Sequence, residues 1–340
     1  MDKKTVCKDY KVMFYYNRKH WENMTEHELY EFIMDIFHHY REHGFPYYNN
    51  THEDMIKSID TMNRYFDKGN EIIDNNGVIK QTMHCLGTAW TFFPHAWNVK
   101  CNGLMTPFEA FTDDVKFKKV IRKRLQRGGY MNDSGIRKEL KTSSNIQAVS
   151  NFRPSSARAI YDRYGGGHVY DPSCGFGGRM IGAISSPKVT EYTGVEPSTK
   201  TYEGLLDMRE RVSNKTINIL NVGSEDYVPP DVDMIFTSPP YFNTEVYSDE
   251  PTQSCNKYPD REKWLNNYLR KTIDNCYEGL KKGGVMAINI ANVKNYPTLE
   301  QDFNDIMKEK FTWVETLKYS LSLMNMTGFK YEPVFVYKKD

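Results

Sequence analysis

The stretch GHVYDPSCGFGGRMIGA, residues 167–183, decides the fold of this 340-residue chain. It begins with a short strand-like run that ends in Asp171, continues through a glycine-rich turn and enters an apolar run with helical periodicity. Glycines at a strand-to-helix turn let the backbone bend sharply and approach a ligand closely. The stretch therefore predicts the first βα unit of a sheet that binds a nucleotide-like ligand at the carboxyl ends of its strands.

The rest of the second half alternates between strand-like and helix-like runs. The runs predict strands at 167–171, 189–195, 217–220, 232–236, 285–290, 313–321 and 332–338, and helices from Gly178 and over 199–212, 261–281 and 298–310. Such alternation is typical of a parallel sheet covered by helices on both faces. We predict an α/β fold for residues 149–340: a doubly wound, mostly parallel, seven-stranded, Rossmann-like sheet.

Residues 1–148 are predicted to form a mainly helical N-terminal domain, since apolar side chains recur there at helical spacing. Its last part is basic: residues 111–150 hold ten Lys or Arg against four Asp or Glu. Most basic residues of the segment 116–127 are expected on the outer face of one helix. They are Lys118, Lys119, Arg122, Lys123, Arg124 and Arg127. On its own, this run is typical of a solvated helix face or of a phosphate-binding surface.

Composition narrows the class of protein. The formal net charge is +1, so any site for a polyanion must be local. The six cysteines lie far apart and show neither a C-x-x-C pair nor metal-ligand spacing, which predicts a reduced protein without a metal site. No apolar leader and no run of about eighteen apolar residues occur, so we expect a cytoplasmic protein that does not bind membranes.

Acidic residues follow the first three strands of the predicted sheet. Glu196 stands about twenty residues after the glycine turn, where a carboxylate can bind two ribose hydroxyls. Glu225 and Asp226 follow the third strand and can accept an adenine amino group. Asp171 repels phosphate and attracts a positive charge, which favours S-adenosylmethionine over a dinucleotide. The simpler interpretations are that the glycines serve turn geometry alone and that Glu196 caps the helix after Ser198.

The stretch Thr237-Ser238-Pro239-Pro240-Tyr241-Phe242 closes the fourth strand. Consecutive prolines fix the backbone and remove two amide donors, so nearby carbonyls become rigid acceptors. An exocyclic base amine is a poor nucleophile because its lone pair is conjugated into the ring. Acceptors such as Ser238 Oγ hold its hydrogens and favour a pyramidal nitrogen, while Tyr241 can stack on a base extruded from the helix.

On these motifs, residues 150–340 resemble the S-adenosylmethionine-dependent amino-methyltransferases of DNA, which act on cytosine N4 or adenine N6. DPSCGFGG is similar to their cofactor motif, TSPPYF to their catalytic motif, and the segment 151–155 to the part that packs over methionine. The resemblance implies a class I methyltransferase fold. It implies catalytic roles for Ser238, Pro239, Pro240 and Tyr241, and cofactor contacts for Phe152, Asp171, Pro172, Ser173, Gly175, Gly177, Glu196, Pro197, Glu225, Asp226 and Ser238.

The chain departs from the family in having no separate recognition domain after the catalytic motif. Recognition is therefore expected from residues 1–150 and from the loop 243–258. Serine at the first catalytic position slightly favours cytosine N4 over adenine N6. Beside this motif, the basic run favours phosphate contacts with double-stranded DNA whose target base is flipped, and RNA is less favoured.

Three other functions stay open. They are methylation of an RNA base, methylation of a protein glutamine, and a catalytically inactive partner subunit that binds nucleic acid. The acidic residues at the cofactor positions and the complete tetrapeptide 238–241 argue against an inactive partner subunit. A bacterial or phage restriction-modification locus is the expected setting, and the sequence does not indicate an oligomeric state.

Overall fold

The computed structural model describes residues 14–16, 22–321 and 329–340. Its α-helices are α1 (Glu26–His43), α2 (His52–Asp67), α3 (Leu86–Thr91), α4 (Pro107–Thr112), α5 (Asp114–Arg127), α6 (Asp133–Thr142), α7 (Pro154–Tyr164), α8 (Gly178–Ser185), α9 (Thr199–Val212), α10 (Ser254–Lys257), α11 (Arg261–Lys263), α12 (Lys271–Gly279) and α13 (Leu299–Lys308). Its strands are β1 (Phe14–Tyr16), β2 (Val78–Ile79), β3 (Lys100–Cys101), β4 (Gly129–Met131), β5 (Gly167–Asp171), β6 (Val189–Val195), β7 (Thr216–Leu220), β8 (Val232–Thr237), β9 (Glu245–Val246), β10 (Leu280–Asn289), β11 (Thr312–Ser320) and β12 (Tyr331–Lys338).

The chain divides into two compact units. One contains the described parts of 1–48 together with 95–149, and the other contains 49–94 together with 150–340. Residues 49–94, which the sequence assigns to an N-terminal domain, thus lie in the unit that carries the sheet. Their contacts explain this: Ser156 Oγ donates to the Lys80 carbonyl at 3.1 Å, and the ring of Trp90 lies 5.4 Å from that of Phe176.

The described part of the first unit is mainly helical. Helix α1 begins with a capping box, in which Glu28 N donates to Thr25 Oγ1 at 3.2 Å and Thr25 N donates to the Glu28 carboxylate at 2.8 Å. The apolar face of α1, which includes Ile36 and Phe37, packs in one core with Phe117 and other buried residues of α5. Strands β1 and β4 pair antiparallel within this unit.

The second unit contains a sheet with the strand order β2-β11-β12-β10-β8-β5-β6-β7. Only β12 runs antiparallel to its neighbours, β10 and β11, and the other pairs are parallel. This confirms the predicted doubly wound, mostly parallel α/β sheet and all seven of its strands. The eighth strand, β2, has two residues and extends the edge beside β11, where Lys318 lies opposite Val78.

The strand order reverses between β5 and β8. From β5 the chain adds strands on one side, β6 and β7, and from β8 it adds strands on the other side. Ligands of open α/β sheets bind in the crevice at the carboxyl ends of the two strands where the order reverses. The glycine turn after β5 and the diproline turn after β8 therefore leave the sheet at the same crevice.

Apolar side chains from helices and strands form the core on one face of this sheet. Trp264, in the π-helical segment Trp264–Arg270, and Phe303 of α13 are fully buried there beside Tyr337 of β12. Within residues 22–321 and 329–340, we find no helix of the length and apolar character that crossing a membrane requires.

Candidate active site

Asp171, the last residue of β5, lies at the centre of a buried hydrogen-bond network. Arg179 Nε donates to its Oδ2 at 2.8 Å, Tyr192 Oη donates to the same oxygen at 2.9 Å, and Thr237 Oγ1 donates to Oδ1 at 2.9 Å. Arg179 also donates to the carbonyl of Ser173. The network joins the end of β5, the glycine turn and the end of β8, so it fixes the two turns relative to each other.

This network changes the role expected for Asp171. The sequence suggests that its carboxylate attracts a positively charged ligand, but the side chain is completely buried and is neutralised by Arg179, which is itself only 6% exposed. A buried ion pair has no net charge to offer to a ligand. The geometry therefore points to Asp171 as a residue that shapes the glycine turn.

Glu196 lies at the end of β6 and holds the other side of the same turn. Its Oε2 accepts from Gly175 N and its Oε1 from Ser198 N, both at 3.0 Å. Gly175 has φ +53°, and a Cβ there would meet no atom closer than 3.9 Å, so the turn is open on this side. Each carboxylate oxygen keeps a free lone pair, and two hydroxyls of a ribose can use them. The residues present thus fit the nucleoside part of S-adenosylmethionine.

The ionisation of Glu196 makes cofactor binding depend on pH. Burial raises the pKa of Glu196 to about 7, against the opposing effect of the hydrogen bonds from Ser198 N and Gly175 N. Hydroxyl donors favour the ionised form, which gains fraction as pH rises through 7. We expect the dissociation constant for S-adenosylmethionine, measured by calorimetry, to fall by about tenfold between pH 6 and pH 8. In Glu196→Gln this pH dependence should vanish, and an equal dependence there would assign it to another group.

The residues after β7 are held by a lysine from the loop 243–258. Lys257 Nζ donates to Glu225 Oε1 at 2.8 Å and also to the carboxylate of Asp226. Glu225 is buried, whereas Asp226 is exposed, so Asp226 is the more accessible acceptor for an adenine amine. This loop also reaches the first turn of α9, where Glu250 accepts from Thr199 Oγ1 at 2.7 Å. The loop, expected to recognise the target, is therefore tied to the cofactor side of the crevice.

The tetrapeptide 238–241 follows β8 and is tied to the neighbouring strand β10. Ser238 Oγ and Tyr241 Oη each lie 3.4 Å from Asn289 Oδ1, and Asn289 Nδ2 donates to the Pro333 carbonyl at 3.0 Å. Asn289 is 3% exposed, so its side chain is held in place beneath the tetrapeptide by these contacts. The sequence analysis did not select it, because an asparagine at the end of a strand carries no recognisable pattern.

Glu332, on β12, is a second residue that the sequence did not reveal. Tyr241 Oη lies 3.3 Å from Glu332 Oε2. Burial raises the pKa of Glu332, while the hydrogen bonds of Asn289 and Tyr241 act in the opposite direction. Its position is set by the antiparallel pairing of β12 with β10, which a linear sequence does not show.

Other expected cofactor residues surround the turn in different ways. Ser173 Oγ lies 3.5 Å from Tyr268 Oη and is partly exposed, as is Pro197, whereas Pro172 is buried. Gly177 has φ +70°, and a Cβ there would lie 2.5 Å from Met208 Cε, so helix packing explains this glycine without a ligand.

Phe152 packs beside the site but inside the protein. Its ring stacks on Tyr319 with centroids 4.4 Å apart and meets Phe236 edge to face at 5.2 Å. Because the side chain is 7% exposed, it supports the sheet end and offers little surface to a cofactor.

The six basic residues of α5 that were expected to face outward, in the first unit, fall into three sets. Lys123 and Arg127 both lie 3.4 Å from Glu139, a carboxylate of α6 that is 0% exposed, so they neutralise a buried charge. Lys118 Nζ lies 4.5 Å from the ring centre of Phe37. Of the other three, Lys119 and Arg122 are exposed, and Arg122 pairs at 3.6 Å with the exposed Glu26, whereas Arg124 is half-exposed. The outward basic face is thus smaller than the sequence suggests.

Among residues 14–16, 22–321 and 329–340, no group of three or more His, Cys, Asp or Glu side chains is arranged to hold a metal ion. The arrangement that remains is a set of acids and hydrogen-bond acceptors around a crevice.

A protein-family model matches the part of the chain that contains the tetrapeptide 238–241. Residues 232–340 match the family model N6_N4_Mtase, described as DNA methylase. This segment is similar to the DNA methylases that the family model describes. Enzymes of this family are S-adenosylmethionine-dependent methyltransferases, and the strand order is that of the class I methyltransferase fold. The match begins at β8, so it includes the tetrapeptide, Asn289 and Glu332, while the glycine turn and Glu196 precede it.

Solved structures are similar over about half of the chain. TrmN from Thermus thermophilus has 17% identity and a TM-score of 0.40, covering 55% of this chain and 49% of its own, so the chain spans about half of its length. The N-methyltransferase NodS from Bradyrhizobium japonicum WM9 has 14% identity and a TM-score of 0.36, covering 51% and 78%. A putative RNA methyltransferase from Pyrococcus horikoshii has 13% identity and a TM-score of 0.37, covering 55% and 82%. No curated protein matches the chain.

Proposed function

We propose that this methyltransferase transfers the methyl group of S-adenosylmethionine to the exocyclic amine of a base flipped out of double-stranded DNA, with cytosine N4 favoured over adenine N6. The observation that carries the proposal is the hydrogen bond of 2.9 Å that Thr237 Oγ1 donates to Asp171 Oδ1. It places the glycine turn and the tetrapeptide at adjacent strand ends, as transfer between a cofactor and an amine requires.

Each part of the site has a role in this proposal. Glu196 binds the ribose and Asp226 the adenine ring, while the turn after Asp171 holds the methionine part. The bound cofactor supplies a methyl group made electrophilic by its sulfonium. Ser238 Oγ and the carbonyls beside Pro239 accept the hydrogens of the amine and so direct its lone pair at the methyl group.

Tyr241 holds the flipped base in the proposed complex. Its hydroxyl lies 3.4 Å from Asn289 Oδ1 and 3.3 Å from Glu332 Oε2, and these contacts restrict the orientation of the ring. An aromatic ring that is already oriented stacks on a base with little entropy cost. The exposed basic residues Lys119 and Arg122 of α5, in the first unit, and the loop 243–258, in the second unit, are each proposed to contact the DNA.

Product analysis tests the function directly. Unmodified duplex DNA is incubated with the protein and S-adenosylmethionine carrying a labelled methyl group, then digested, and the nucleosides are separated by mass. We expect label in N4-methylcytosine or N6-methyladenine. Label in RNA or in a glutamine-containing peptide, with none in DNA, would assign the site to the corresponding alternative substrate.

The proposed DNA contact of α5 predicts a change in salt dependence. Replacing Lys119 and Arg122 together with alanine should reduce the slope of log Kd against log salt by about 2, because each lost phosphate contact removes about 0.9. The slope is measured by fluorescence anisotropy on duplex DNA. Lys282 and Lys308, both exposed in the other unit, provide a double replacement of equal charge as control. Equal slopes for the two double variants would show that Lys119 and Arg122 do not contact DNA phosphates and that α5 is simply exposed to solvent.

A further inference from the structure

The carboxylate of Glu332 lies beside the tetrapeptide 238–241 and has no cationic partner among the described residues. Within the part of the chain that the structure describes, no Lys, Arg or His forms a salt bridge with it, and its hydrogen-bonded neighbours are Asn289 and Tyr241, whose Oη lies 3.3 Å from Glu332 Oε2. The first residues of β12 bring it there, since Val334 lies opposite Asn289 and Glu332 opposite Tyr319.

The groups around Glu332 are neutral or negative. Tyr241 faces it from the loop after β8, Asn289 from β10 and Tyr319 from β11, and Glu300 of α13 adds a negative charge. Burial, followed by Glu300, raises the pKa of Glu332. Glu332 is partly buried. A carboxylate that is partly removed from water without a cation lowers stability, so its presence beside a reactive group indicates a functional role.

The proposed reaction produces a positive charge of the kind that could pair with the Glu332 carboxylate. As the C–N bond forms from the lone pair of the amine, the C–S bond breaks and its electron pair stays on sulfur. The positive charge thereby moves to the target nitrogen, which must then release one N–H proton. An acceptor within reach of the tetrapeptide is needed for that proton.

We propose that Glu332 accepts this proton through the hydroxyl of Tyr241, an inference that rests on the proposed function. The amine N–H proton passes to Ser238 Oγ while the Ser238 O–H proton passes to Tyr241 Oη, to which Ser238 is hydrogen-bonded. The Tyr241 O–H proton moves in turn to Glu332 Oε2, so that serine and tyrosine end unchanged and the carboxyl is neutral until water removes the proton. Asn289 is the positioning residue of this relay, since its Oδ1 lies 3.4 Å from both Ser238 Oγ and Tyr241 Oη.

The first arm of the test measures methyl transfer. Glu332→Gln keeps the size of the side chain and an oxygen acceptor for Tyr241, but removes the base. We expect the single-turnover rate on duplex DNA to fall by about 10²-fold and its rise with pH to flatten. Glu332→Asp, which restores a carboxylate, should regain part of the rate. Glu278→Gln, an exposed site on α12, is the matched control and should keep the wild-type rate.

The second arm does not require DNA. Sinefungin carries an ammonium group in place of the sulfonium methyl, whereas S-adenosylhomocysteine is neutral there. Calorimetry on Glu332→Gln should show sinefungin binding weakened by about tenfold and S-adenosylhomocysteine binding unchanged, because only the former places a cation near residue 332.

The two arms separate the possible failures. A wild-type rate in Glu332→Gln, or equal losses for the two ligands, would overturn the role of Glu332. If the wild-type protein transfers no methyl group to DNA, the proposed function fails, and the ligand comparison alone then decides whether Glu332 faces the transferred group. Thermal unfolding midpoints of all variants identify any loss that comes from misfolding.

Discussion

Replacing Asp171 with alanine is expected to lower the free energy of unfolding by about 3–5 kcal/mol and to abolish measurable cofactor binding. The substitution leaves the guanidinium of Arg179 buried without its carboxylate partner and removes the acceptor of Tyr192 and Thr237. The glycine turn then loses its fixed position relative to β8. Urea unfolding and calorimetry with S-adenosylmethionine measure the two effects.

Two further variants serve as controls for the Asp171→Ala prediction. Glu309→Ala opens an exposed salt bridge with Arg270 and should leave the unfolding midpoint almost unchanged. The double variant Asp171→Ala, Arg179→Met removes both buried charges and should regain much of the stability while binding stays weak. Retained cofactor affinity in Asp171→Ala would show that the turn does not depend on this network.

Tyr241→Ala is expected to lower methyl transfer to DNA by about 10²-fold or more while cofactor affinity stays within about twofold of wild type. Base–aromatic stacking alone contributes about 1–3 kcal/mol, and the substitution also removes the hydroxyl beside Glu332. Single-turnover rates and calorimetry separate the two quantities. Tyr202→Ala, a half-exposed tyrosine on α9, is the control for loss of a ring. Turnover that survives in Tyr241→Ala would mean that another side chain holds the base.

Much of the sheet could be predicted because short strand-like runs alternate regularly with longer helical ones along the second half of the chain. Strands β5 and β6 and helix α9 begin and end at the expected residues, and β8 begins at the expected one. The order of Asp171, Glu196 and Ser238 along the chain also implied a common crevice, since parallel strands present their carboxyl ends at one edge. The pairings β5–β6 and β5–β8 place the ends of these strands together.

The parts that escaped prediction depend on contacts between distant residues. Strand β2 has two residues and acquires its conformation from pairing with β11. Glu332 joins the site through a hairpin that begins beyond the last helix. The pairing of Lys123 and Arg127 with a buried carboxylate likewise depends on how α5 packs on α6, and a charge run shows nothing of this.

The discontinuous second unit has a consequence for synthesis on the ribosome. Val78 leaves the ribosome more than two hundred residues before its strand partner Lys318. At typical translation rates this interval is roughly 10–50 s. Until Phe176 is made, Trp90 and Phe93 lack this packing partner. Strand β2 pairs locally through the bridge between Ile73 and Ile79, but it lacks β11 throughout the interval. The edge of the sheet beside β11 therefore forms late, and nascent chains halted before β11 present an unfinished surface to chaperones.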